Sequence, residues 1–98
     1  MIPVRYHEAA EDELLNEIGY LELRLQVLGR RFYGEVQRAE KRLSEFPESG
    51  LEVLPGIRKH NLRKFPFSLI YSIEKDGLLI LAVAHQRRRP QYWLPRIS

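Results

Sequence analysis

Cysteine is absent from this chain of 98 residues, which excludes thiol catalysis, zinc–thiolate sites and any disulfide framework. Long hydrophobic runs are missing too. The longest, Leu78 to Ala84, is far shorter than the ~20 apolar residues that a membrane-spanning helix needs. The opening stretch MIPVRYHEAAEDE turns acidic where a secretory leader would be apolar. Histidine is sparse. His7, His60 and His85 are dispersed without helical ligand spacing, so no metal site is expected. No Gly-rich phosphate loop, serine triad or paired-carboxylate motif occurs, and no cofactor is implied. The expectation is a cytoplasmic protein with no membrane association, its residues 1–98 forming one domain around a single core.

Charge is present in abundance and unevenly placed. The formal net charge is only +3, yet residues 1–54 carry seven Lys/Arg against eleven Asp/Glu, and residues 55–98 carry nine against two. Such asymmetry points to an anionic partner for the second half, a nucleic acid or an acidic protein segment. The plain alternative is a surface that serves only solubility.

Periodicity prescribes the elements. Ile2, Val4 and Tyr6 alternate with Pro3 and Arg5 as in a half-buried strand. From Leu14 to Phe46 the apolar residues recur every three or four positions, acidic residues crowd the first turns, and Pro47 closes the pattern. A single straight helix over that span would be roughly 57 Å long, too long for a compact domain of this size to bury. The pattern therefore predicts two antiparallel helices reversing between Leu23 and Arg30, with Gly29 the obvious weak point. PESGLEVLPG (47–56) reads as a loop, IRKHNLR (57–63) as a weak strand, and FSLIYSIE (67–74) as an alternating one. Asp76-Gly77 is a tight-turn signal ahead of LLILAVAH (78–85), a strand apolar enough to be covered on both faces. The fold class expected is α+β: an N-terminal strand, a helical hairpin and a three-stranded antiparallel meander.

That topology places the cations. The start of the middle strand, near Phe67, should lie beside both Arg63-Lys64 and His85–Arg87, bringing the two basic clusters within roughly 10 Å across one rim of the sheet. Arg58 should lie farther off. Arg63, Lys64, Arg87, Arg88 and Arg89 suit a phosphate chain, since guanidinium groups make forked contacts with phosphate oxygens. Tyr92 and Trp93 have rings able to stack on bases, and His85 has the side chain for proton transfer near neutral pH. The competing readings are a solvated strand end for the arginines, tail aromatics pinned to the core, and a histidine bonded to backbone.

The order of elements, together with YHEAAEDEL, LGRRFYGEV, RLSEFPESG and FSLIYSIEKDGLLILAVAHQRRRP, resembles the RelE/ParE superfamily of type II toxin–antitoxin toxins, the plasmid-stabilisation type, over nearly the whole chain. The resemblance implies a small toxin, held inactive in a hetero-oligomer by a cognate antitoxin. RelE-like members cleave messenger RNA on the ribosome, and ParE-like members poison DNA gyrase. For the ribonuclease branch it implies a metal-free site of Arg63, His85, Arg87 and Tyr92, with Arg87 matching the arginine after the last strand and Tyr92 or Trp93 at the place of the C-terminal tyrosine. Ser68 stands where RelE-type strands often carry an arginine, a cation that would stabilise charge building on phosphorus. This, with FSLIY and the His-x-x-Arg-x-Pro ending, leans the resemblance towards ParE-like members that act by binding. A target-binding surface of Arg63, Lys64, Arg87, Arg88, Arg89 and Trp93 is the corresponding expectation, with a non-toxic nucleic-acid-binding module as a further alternative.

Overall fold

A computed structural model describes residues 1–97; Ser98 lies outside the described residues. The element order is β1 (Val4–Tyr6), α1 (Glu8–Arg24), α2 (Gln26–Glu45), a short 3-10 turn (Pro47–Ser49), β2 (Leu51–Leu54), β3 (Ile57–Asn61), β4 (Phe67–Glu74), β5 (Gly77–His85) and a second 3-10 turn (Leu94–Arg96). The α+β class and the order of its parts are as the sequence implies, with one addition. Four residues of the expected loop 47–56 form a strand: β2 folds back on β3 around Pro55-Gly56 as the outer strand of a five-stranded sheet ordered β1-β5-β4-β3-β2. Pro and Gly at both ends of LEVL hid a strand too short to show a period.

The helical hairpin reverses at Leu25, whose backbone is extended (φ −163°, ψ 119°). That lies inside the expected window, but Gly29 is not the break. It is buried within α2, where a Cβ would stand 2.5 Å from Glu22 Cγ and 2.9 Å from the Ile18 carbonyl oxygen. Its role is to let two helices approach closely, not to interrupt one. At the start of α1, His7 Nδ1 accepts the Ala9 N–H at 3.0 Å as an N-cap.

β5 is covered on both faces. Towards the helices, Leu78, Ile80 and Val83 join Leu69, Tyr71, Phe32, Val36 and Leu43 in the larger core. Towards the other side, Leu81, Ala82 and Ala84 pack with Ile57, Ile70 and Trp93 of the C-terminal tail. The alternation slips once. Tyr71 pairs with Ile80 and Ile70 with Ala82, so Leu81 is the extra residue of a bulge and shares its face with Ala82.

β1 runs parallel to β5 and pairs only with residues 78–80. Beyond Tyr6 the chain turns into α1, so the later part of β5 has no strand neighbour on that edge. Its backbone groups find side chains instead. The Val83 N–H donates to Glu13 Oε1 at 3.0 Å, and Arg96 Nη1 donates to the Leu81 carbonyl at 2.9 Å. An unpaired sheet edge costs stability when its polar groups are hidden from water, and these two residues close it.

Candidate functional site

The exit of β5 carries the basic run. Phe67 pairs with His85, the Gln86 N–H donates to the Pro66 carbonyl, and the Leu62 N–H donates to the Phe67 carbonyl. The backbone of 62–67 thus borders that of 85–86, as the meander requires. Arg58 stands apart, donating to the Gly50 and Glu48 carbonyls at 2.8 and 3.1 Å.

Side chains divide what the backbone brings together. Arg63 and Lys64 line grooves against α2, with Arg38 and Arg42 in one case and Arg30 and Arg31 in the other. Arg88 and Arg89 line a groove of about 270 Å³ on the tail side, with Ser68, Ile70 and Trp93. The single shared rim expected from the topology is corrected to separate grooves: Arg63 and Lys64 lie against α2, Arg89 on the tail side, and Arg88 borders both the tail-side groove and one against α1. The reason is local: both clusters lie in loops beyond their strand ends, and Glu35 of α2 holds the Arg63 and Lys64 N–H groups against the helix.

The tail aromatics are structural. Trp93 is 4% exposed and belongs to the smaller core, so it offers no free face to a base. Tyr92 donates its hydroxyl to Glu13 Oε2 at 2.7 Å. Arg96 grips the same carboxylate through Nη1 at 2.9 Å and Nη2 at 2.8 Å. Burial, then the bond to Glu13, pushes the Tyr92 phenol above its ordinary range. Burial pushes the Glu13 carboxyl up, but the bonds from Arg96, Tyr92 and the Val83 N–H together outweigh it and leave its pKa below the ordinary value. This latch ties the tail to α1 and β5 at once. Sequence inspection missed Glu13 and Arg96 because nothing local distinguishes them from other surface charges.

Arg88 leaves the latch by stacking its guanidinium 3.8 Å from the centre of the Tyr92 ring. It also lines a groove of about 440 Å³ with Glu17, Tyr20 and His85. His85 is held by an edge-to-face contact with Phe67, ring centres 4.9 Å apart, and Phe67 meets Phe32 of α2 in the same manner at 5.1 Å. The Nδ1 of His85 accepts the Arg87 N–H at 3.0 Å. In the neutral ring the proton therefore sits on Nε2, which makes that atom a donor and not a base. Glu17 has its pKa raised by burial, against the opposing pull of His85. Nothing in the composition singles it out.

Arg87, Arg88 and Arg89 are exposed, and among the described residues the ion pairs are Arg5–Asp76 and Arg96–Glu13, so the run keeps its charge for a partner. Ser68 is buried beneath it and donates to Asn61 Oδ1 at 2.6 Å. The position that an arginine would fill in the ribonuclease branch holds a satisfied hydroxyl. Among the described residues no group of three or more His, Asp or Glu is disposed to hold a metal ion. No helix is long and apolar enough to cross a membrane.

The family profile for the ParE toxin of type II toxin–antitoxin systems (parDE) matches residues 4–90. A solved structure described as the chromosomal ParDE toxin–antitoxin system from P. aeruginosa superposes with a TM-score of 0.63 at 15% identity, covering 87% of this chain and 96% of that one. The likeness is one of fold. Sequence comparison with curated proteins gives no match.

Proposed function

Because the chain belongs to the ParE toxin family of type II toxin–antitoxin systems, we propose that it is a cytoplasmic toxin that inhibits DNA gyrase by binding it, and that a cognate antitoxin neutralises it in a hetero-oligomer. The observation that carries the binding reading is the exposure of Arg87, Arg88 and Arg89, none of which is in an ion pair among the described residues. Attack by a ribose hydroxyl needs a base, and of the residues that the ribonuclease likeness implies, His85 already accepts from Arg87 at Nδ1 and Tyr92 donates to Glu13. Arginine cannot take the role. What remains is a run of three exposed guanidinium groups, Arg87 to Arg89, on a tail held in place by Trp93 and Glu13. That is a surface for an acidic target. An antitoxin with acidic and apolar residues would compete for it, or displace the tail that presents it.

The test sets two activities side by side. Purified chain is expected to block gyrase supercoiling, to leave transcripts intact in a ribosome-containing extract, and to lose inhibition when Arg87, Arg88 and Arg89 are changed to Gln. Transcript cleavage with unaffected supercoiling would reverse the assignment.

One observation favours a second reading, a RelE-like ribonuclease. Glu17, His85 and Arg88 share a groove, and a carboxyl whose pKa burial has raised is suited to accept a proton while His85 Nε2 donates one. In that case Glu17→Gln abolishes cleavage of messenger RNA, and the site is Glu17, His85 and Arg88 with Arg87 beside it. Tyr92 and Arg63 take no part. Under the gyrase reading the same substitution leaves inhibition intact.

A further inference from the structure

The toxin reading leaves the basic surface on the helix side without a role. Arg38 and Arg42 stand one turn apart on α2. Across from them, His60 comes from β3 and Arg63 from the loop that follows, and the four line one groove of about 570 Å³. The Arg42 guanidinium lies 5.5 Å from the centre of the Phe46 ring, which gives it a fixed perch at the end of the helix. Glu35 is the carboxylate of this groove, but its Oε1 already accepts the N–H groups of Arg63 and Lys64, at 2.8 and 3.1 Å. It shapes the loop and is not an ion-pair partner. Among the described residues the ion pairs are Arg5–Asp76 and Arg96–Glu13, so none of the three guanidinium groups lining the groove is in an ion pair, and the single Glu35 carboxylate leaves an excess of positive charge there.

A cation near the end of α2 is favoured by the helix dipole, which accounts for Arg42. The dipole does not account for Arg63 and His60 on the opposite wall. The His60 pKa is held below the ordinary imidazole value, by burial first and by Arg42 second.

We propose that this groove binds a phosphate ester, held between Arg38 and Arg42 of α2 and Arg63 of the β3–β4 loop. A planar carboxylate is satisfied by one guanidinium fork, whereas a phosphate offers oxygens in several directions. Donors on separate elements, converging from both walls, suit the second shape. The site shares no residue with the Arg87–Arg89 run, and it stands whichever target the toxin has. The ester comes either from a free nucleotide or from a nucleic-acid backbone.

The full chain is titrated with pyrophosphate, a nucleoside triphosphate, a short single-stranded oligonucleotide and a glutamate-rich peptide of matched charge, with the His60 ring followed by NMR. The phosphate ligands should move the His60 resonances, and Arg38→Gln with Arg63→Gln should weaken them about tenfold or more, while Arg87→Gln with Arg89→Gln costs about twofold or less. Arg42→Gln, a single exposed change, provides a second route should the double variant fold poorly, with a loss of about threefold expected. A triphosphate that binds as tightly as the oligonucleotide identifies a free phosphate ester. An oligonucleotide about tenfold tighter, with affinity falling steeply in salt, identifies a nucleic-acid backbone. The proposal is overturned by equal binding of the glutamate peptide, by an unmoved His60, or by variants of Arg38, Arg42 and Arg63 that bind as well as the parent.

Discussion

The helix-covered face of the sheet and its tail-covered face are closed by different means. On the first, Phe32, Val36 and Leu43 of α2 are fully buried against Leu69, Tyr71, Leu78 and Ile80, and each such side chain contributes about 1.5–3 kcal/mol through burial. Phe32 also joins Phe65 to Phe67 through two edge-to-face contacts, with centroids 5.2 and 5.1 Å away. On the second face a tail without long regular structure depends on one buried ring, Trp93, and one shared carboxylate, Glu13. The first closure draws on many buried side chains and the second on few, so loosening of the tail is expected to change how Arg88 and Arg89 are presented before the domain melts.

That contrast is open to direct attack. The largest effect should come from Phe32→Ala, expected to cost about 3–5 kcal/mol in chemical denaturation and to lower protection against hydrogen exchange throughout β4 and β5. A loss confined to α2 would refute the idea of one cooperative layer. Next comes Trp93→Ala, with a cost of about 3 kcal/mol. Its signature is faster exchange in residues 88–97 and at Leu81 and Val83, with the helical face still protected. Global unfolding instead would erase the distinction between the faces.

The smallest effect belongs to the latch. Glu13→Gln should cost about 1–3 kcal/mol, since Arg96 and Tyr92 lose a charged partner in a partly buried site. The pH dependence follows from the same carboxylate. Its folded pKa lies below the unfolded value, so its contribution is fully present above the unfolded pKa and is lost as pH falls through the folded one. Trp93 is the only tryptophan of the chain and reports on the tail directly. Its emission should shift to the red as pH falls below the ordinary carboxylate range, and Glu13→Gln should show no such transition while remaining shifted at neutral pH. A parent protein with constant emission through that fall would show that the latch does not hold the tail.

Much of the fold was legible beforehand. The three- and four-residue spacing from Leu14 to Phe46 requires amphipathic helices, and the span is too long for one, so a hairpin follows. FSLIYSIE appears as β4 over the residues its alternation marks. Gly29 was read correctly as special and assigned the wrong task, because a glycine that permits close packing and one that breaks a helix look alike in one dimension. β2 escaped notice for want of length. For the candidate site the residue types were visible and their employment was not. Arg87, Arg88 and Arg89 are exposed as a basic run should be. Tyr92 and Trp93 turned inward because apolar surface left open beside β4 and β5 needed a cover.

Neighbouring residues are enough to prescribe a helix, a strand or a turn, since hydrophobic spacing and backbone restraint act over a few positions; that information lay in the chain and carried the element order and the family likeness with it. The division of the cations between separate grooves and the loss of Tyr92 to Glu13, across a separation of 79 residues, came from packing. They depend on Glu35 holding the 63–64 loop against α2 and on an edge of β5 that β1 was too short to cover. Such pairings are settled by which buried polar groups have no other partner, a condition that exists only after the layers have closed.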